Sequence, residues 1–259
     1  MSLYDINGNE IQTGGTGGSS QSELQRKFSG KNIVWIGDSI HAYSQWDGIT
    51  IPYLFQYDSG AKCYNWCQGG TTMAKMDIAN YDAFSGVGMV DALISRNFTE
   101  QETHMADRGF ATQVAEMQAF DMSKAHTVII EFGTNDTMKL VPLDNAENEL
   151  DTTTTGGALR YMIKTLQTAY PKINIAVCNI QPLTGWADAE HTKWYDSKNH
   201  NEVIDSVCDE LNIPVIDINN YLGLNDYTST TLLHDGLHRS HQGKLKQVKV
   251  IENRLVQLF

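Results

Sequence analysis

The chain has 259 residues, 41% of them apolar, and a net charge of −12 from 31 acidic and 19 basic side chains. That length fits one large domain, or one domain with an appendage, and supplies enough apolar side chains for a sizeable core. The acidic balance argues against a nucleic-acid backbone or an anionic membrane as main partner, since both need a basic face. No apolar run approaches the ~20 residues that span a bilayer. Met1 to Ser20 is polar and glycine-rich, without the apolar stretch of a cleavable signal peptide. The compartment stays open: the cytoplasm, or part of a larger extracellular or viral assembly.

Leu3 to Ile11 holds Asn7-Gly8 between short apolar pieces, a hairpin signal. Gln12 to Gln21 is rich in Gly and Ser and reads as a flexible linker. Residues 1–21 therefore read as an attachment segment that could tether the chain to a larger protein or particle, or else as a disordered terminus. Lys31 to Ile40 follows, with the apolar run Ile33–Ile36 ending at Gly37-Asp38-Ser39. A continuous apolar run is the pattern of a buried parallel strand. In open α/β sheets ligands sit at the carboxyl ends of such strands, so a serine hydroxyl stands where chemistry is done.

Ile40 to Asp58 is aromatic-rich and patterned poorly for a long helix. Ala61 to Trp66 gives a second strand, followed by Gly69-Gly70, where the missing side chains let the backbone approach a neighbour closely. Asp77 to Thr103 has weak periodicity and reads as an insertion or lid-like loop. Phe110, Val114 and Met117 predict a helix from about His104 to Phe120. His126 to Phe132 is a third strand, stopping at Gly133-Thr134-Asn135-Asp136.

Thr152–Thr155 offers helix caps, and a stripe from Leu159 to Tyr170 predicts a helix closed by Pro171. Ile173–Ile180 is a fourth strand, Gln181–His200 a polar loop, Val203–Leu211 a helix, Pro214–Ile218 a fifth strand and Gln242–Leu258 a closing helix. Strands alternating with helices imply a parallel sheet covered on both faces, with right-handed crossovers. The expected fold is a three-layer α/β/α sandwich with five parallel strands in the flavodoxin-like order 2-1-3-4-5. Cys178 and Cys208 read as buried hydrophobes, and Cys63 and Cys67 lack redox or zinc spacing, so free thiols are expected.

Three strand ends carry small polar clusters, and in a parallel sheet they open on one edge. A fourth cluster, His234-Asp235-Gly236-Leu237-His238, precedes the last helix. An Asp three residues ahead of a His can hold the imidazole by its Nδ1 proton, leaving Nε2 to take a proton from serine. Serine is a weak nucleophile until a base does this. The candidate triad is Ser39, His238 and Asp235. The backbone N–H groups of Ser39 and Gly70 and the Asn135 amide are available to an oxyanion.

These blocks resemble the SGNH hydrolases, the GDSL esterase family. Gly37-Asp38-Ser39-Ile40 is similar to the first block, Asn65 with Gly70-Thr71-Thr72 to the second, Gly133-Thr134-Asn135-Asp136 to the third, and Asp235-Gly236-Leu237-His238 to the DxxH block. The resemblance extends from about Lys31 to the C-terminus and implies that 22–259 is a hydrolase domain. The doubled glycine departs from the pattern: Gly69 or Gly70 could supply the N–H, and the +5 spacing from Asn65 favours Gly70. The fold and blocks imply a serine esterase needing no cofactor and no metal.

A polar, aromatic-bearing set of loops favours carbohydrate O-acyl, especially O-acetyl, esters. A general short-chain acyl esterase or a lysophospholipase-like enzyme is the alternative, and a non-catalytic carbohydrate-binding or particle-attached module the rival of another class. His41, Trp46 and Trp186 are candidate substrate contacts. For His41 a solvated position at a helix start competes with lining the pocket, and for the two tryptophans core or rim packing competes. Asp136 reads as a structural hydrogen-bond acceptor. His234, His238 and His241 mimic metal-ligand spacing, but no carboxylate cluster joins them.

Overall fold

The computed structural model describes residues 21–43, 47–183, 186–187 and 194–259. The attachment segment proposed for residues 1–21 lies almost wholly outside them. Five strands form one parallel sheet: β1 (Asn32–Gly37), β2 (Lys62–Asn65), β3 (Thr127–Glu131), β4 (Asn174–Cys178) and, after the short β5 (Trp186–Ala187) and β6 (Trp194–Tyr195), β7 (Val215–Ile216). The order across the sheet is β2-β1-β3-β4-β7, the order 2-1-3-4-5 expected when β7 is counted fifth. β5 and β6 pair antiparallel as a separate ribbon within the stretch expected to be a loop.

Alternation along the strands builds two cores. Val34, Ile36, Val128, Ile130, Ile175 and Val177 face one side, where they meet helices Gly86–Ser95, Thr155–Ala169 and Lys198–Glu210. Ile33, Trp35, Ile129, Ala176, Cys178 and Ile216 face the other, covered by helices Glu23–Phe28, Ile51–Ser59 and His241–Leu258. Both faces of a parallel sheet are thus dry, which is why its strands read as unbroken apolar runs. The four cysteines are free thiols.

Two expectations are corrected. Asp77–Thr103 is not a lid-like loop: it contains helix Gly86–Ser95, packed on Thr155–Ala169, and enters helix Thr99–Arg108. The helix expected over His104–Phe120 is two, Thr99–Arg108 and Ala111–Ala119. Gly109 at φ +71° ends the first in a left-handed cap.

Candidate active site

The elbow after β1 is shaped by what lies beside it. A Cβ on Gly37 would stand 2.4 Å from the Glu131 carbonyl oxygen, so only glycine lets β1 pass β3 there. Asp38 then caps the short helix Ser39–Ala42, its side chain accepting from the Ile40 N–H at 2.9 Å. This leaves Ser39 as the first helical residue, at the carboxyl edge of the sheet and only 4% exposed. Burial, and then the neighbouring Glu131 charge, push the Asp38 carboxyl well above its usual range.

The turn before the last helix brings the base. Gly236 at φ +86° allows the reversal, and the His234 N–H donates to the His238 carbonyl at 2.8 Å. Asp235 Oδ1 accepts from the N–H groups of Leu237 and His238 at 3.0 and 2.7 Å. Its Oδ2 lies 2.7 Å from His238 Nδ1. His238 Nε2 lies 3.0 Å from Ser39 Oγ. Burial would raise the Asp235 pKa, but the hydrogen bonds from the imidazole and backbone of His238 and from Leu237 outweigh it, and the carboxyl sits below its usual range. A carboxylate at Nδ1 keeps that nitrogen protonated and turns the lone pair of Nε2 toward serine. The Tyr43 ring packs on the imidazole with centroids 4.3 Å apart.

The remaining strand ends close around the same point. Gly133 takes φ +118° after β3, and a Cβ there would meet Ile180 Cδ1 at 2.6 Å. Asn135 Nδ2 donates to the Thr71 carbonyl at 2.9 Å. Asp136, fully buried, accepts from the Met73 and Ala74 N–H groups, the structural role read from the sequence. The loop after β3 therefore grips the loop after β2, in which Gly70 stands at φ +73°. Ser39, His238 and Asp235 are in direct contact, and Asn135 and Gly70 adjoin through Thr71.

His41 is neither a pocket-lining residue nor a solvated one. It is 1% exposed, its Nε2 lies 2.5 Å from Glu131 Oε2 and 3.1 Å from Gln247 Nε2, and its ring meets Trp35 edge-on. The short helix turns this side chain inward over the sheet, where the Glu131 charge compensates its burial. Trp46 lies outside the described residues, and of Trp186 only the β5 backbone is described. His241 turns away to Asp47 Oδ2 at 3.1 Å, so the three histidines do not converge. Among the described residues no group of three His, Cys, Asp or Glu side chains is placed to hold a metal.

Sequence reasoning missed a buried polar tier beneath the elbow. Arg239, next to His238, is 1% exposed and donates from Nε to Gln247 Oε1 at 2.6 Å. Its charge faces Glu131 and Asp38, and burial lowers its pKa to about 10. The signal available was Glu131 itself, a charge ending an apolar run, which needs a partner when buried.

Residues 36–245 match the model of the GDSL-like lipase/acylhydrolase family. The chain belongs to that family. As a family member it is a hydrolase of the SGNH type. Its fold is shared by solved structures of low sequence identity. A protein from Lactobacillus plantarum aligns with TM-score 0.68 at 17% identity, over 90% of this chain and 99% of that one. A member of the lipolytic G-D-S-L family from Veillonella parvula aligns with TM-score 0.54 at 15% identity, over 86% and 97%. A GDSL-like lipase from Bacteroides thetaiotaomicron aligns with TM-score 0.50 at 15% identity, over 88% and 87%. No curated protein matches the chain.

Proposed function

We propose that this GDSL-family hydrolase is a serine esterase that removes short O-acyl groups, chiefly O-acetyl, from carbohydrate. The observation that carries the catalytic part is the unbroken line Ser39 Oγ, His238 Nε2, His238 Nδ1, Asp235 Oδ2, with contacts of 3.0 and 2.7 Å. As Ser39 Oγ attacks the ester carbonyl carbon, its proton passes to His238 Nε2, and Asp235 stabilises the imidazolium. The carbonyl oxygen becomes an oxyanion that accepts from the N–H groups of Ser39 and Gly70 and from Asn135. His238 returns the proton to the leaving alkoxide, the alcohol departs, and an acyl group remains on Ser39. Water, deprotonated by His238, attacks the acyl carbon; the bond to Ser39 Oγ breaks, His238 returns the proton to that oxygen, and the acid leaves. Every proton is carried by a side chain of this chain.

The acyl and alcohol preferences rest on the walls around the serine. Ser39 is nearly enclosed, and the strand ends that open on its edge of the sheet carry the buried polar side chains Gln68, Thr71, Thr134 and Asn135, which supports a polar slot. An apolar slot gains ~0.8 kcal/mol for each buried CH₂, and a polar one gains little from a longer chain. A net charge of −12 also disfavours an anionic lipid surface. Acetate release from acetylated xylan and acetylated sialic acid, beside a p-nitrophenyl ester series from C2 to C12, tests this. Rates should fall beyond about C4, and Ser39→Ala should abolish turnover while circular dichroism stays that of the parent. An optimum at C8–C12 would favour a lysophospholipase-like enzyme, and an active Ser39→Ala would remove the nucleophile.

A further inference from the structure

The Gly69 carbonyl and the Gly70 N–H belong to one peptide unit. In a trans peptide the two point in opposite directions, and the described residues contain no cis bond. Whatever fixes the carbonyl therefore fixes the N–H. Gly70, at φ +73°, holds the third place of the turn Gln68–Thr71, the conformation a type II turn requires there. A type I turn of the same four residues differs by rotation of the central peptide, which reverses that N–H. With glycine on both sides of the peptide, sterics alone leave both directions open.

The carbonyl is held from a helix further along the chain. Arg108, the last residue of helix Thr99–Arg108, donates from Nη2 to the Gly69 oxygen at 3.0 Å and from Nη1 to the Asn80 oxygen at 3.4 Å. Its guanidinium carbon lies 4.2 Å from the Tyr81 ring centroid and 5.3 Å from that of Phe110. Two aromatic rings and two carbonyls thus fix the planar fork. On the other flank, Tyr43 leaves 3.1 Å between its ring and the place of a Gly69 Cβ. A charged donor also polarises the peptide it binds, which strengthens the N–H on the far side.

We propose that Arg108 is a positioning residue whose guanidinium pins the Gly69–Gly70 peptide, so that the Gly70 N–H faces the oxyanion. The proposal rests on the esterase reading. It also selects between the glycines, because the Gly69 N–H belongs to the preceding peptide, which the guanidinium does not touch. Helix Thr99–Arg108 then serves the oxyanion hole from outside the catalytic blocks.

The test is steady-state hydrolysis of p-nitrophenyl acetate by Arg108→Ala and Arg108→Lys, with Ser39→Ala as control and thermal unfolding of each. Arg108→Ala should lose about 10- to 100-fold in kcat with KM unchanged within about twofold, less than deleting a donor outright, since part of the population keeps the N–H inward. Arg108→Lys, which keeps one charged donor, should recover most of that loss. Should the alanine variant fail to fold, Arg108→Gln carries the same expectation. A variant that melts lower but keeps the parent's kcat, or raises KM alone, would mark Arg108 as a structural tie and overturn the proposal. An inactive Ser39→Ala beside a fully active Arg108→Ala overturns it alone; an active Ser39→Ala overturns the esterase reading and this proposal with it.

Discussion

Asn135 carries two N–H groups on one amide, and the Thr71 carbonyl engages one of them at 2.9 Å. The other is available to a substrate oxygen. Donation matters most once that oxygen is negative, so its loss lowers kcat and leaves KM nearly unchanged. Asn135→Ala should cut kcat by roughly 10²–10³. Asn135→Asp should be at least as harmful, because it sets a negative charge where one develops. Kinetics within a few-fold of the parent on a short ester would make Asn135 a turn residue only. The next side chain behaves differently. Burial lifts the Asp136 pKa to about 6, against the lowering effect of the Met73 and Ala74 N–H groups. The unfolded chain releases that proton near 3.9, so between about pH 4 and 6 the native state binds more protons and stability falls as pH rises. Urea unfolding of parent and Asp136→Asn should show the parent's relative stability lower at pH 7 than at pH 4, by roughly 2–3 kcal/mol. A pH-independent difference would show that this carboxyl does not titrate as stated. Ser39, Asn135, Asp235 and His238 were legible because each lies at a strand end or within one turn. The role of His41 was not, since its partners Glu131 and Gln247 arrive from β3 and from the last helix.

Elements divide by whether their pattern is local. The central strands announce themselves as apolar runs, and the closing helix by its stripe through Val248, Ile251 and Leu255. Helix Gly86–Ser95 was hidden by the two glycines that made the region look like a loop. A Cβ on Gly86 would meet Met162 Sδ at 2.6 Å, and one on Gly88 would meet the Asp82 carbonyl oxygen at 2.0 Å. Tertiary packing demanded those glycines, and intrinsic propensity reads them as breaks. Gly88→Ala should therefore destabilise, although alanine is the better helix former. Overpacking against backbone costs roughly 1–3 kcal/mol, to be read from the denaturant midpoint. A variant as stable as the parent would mean the helix can shift away from Asp82. The break at Gly109 is of another kind: a Cβ there would meet nothing within 4 Å, and the glycine serves the left-handed turn at φ +71°, which the stripe Phe110, Val114 and Met117, beginning one residue later, does not reveal.

At the scale of the whole molecule, the order of the strands followed from alternation and right-handed crossovers, and the observed order β2-β1-β3-β4-β7 agrees with it. What composition could not reveal is how the two cores share one sheet while the polar tier of Glu131, Arg239 and Gln247 closes one end. The four thiols are spread through this architecture: Cys208 packs in one core, Cys67, Cys178 and Cys63 in or against the other. Burial pushes the Cys63 and Cys208 thiols up to about 12 and those of Cys67 and Cys178 well above their usual value. Only thiolate reacts with an aromatic disulfide reagent, so the folded protein should be silent toward it and the chain in urea should titrate all four. Under native conditions labelling then becomes a clock for opening. If singly labelled molecules accumulate, with Cys208 modified and the other three untouched, the two halves of the sandwich come apart independently. If molecules pass from none to four, the sheet gives up both faces in a single event.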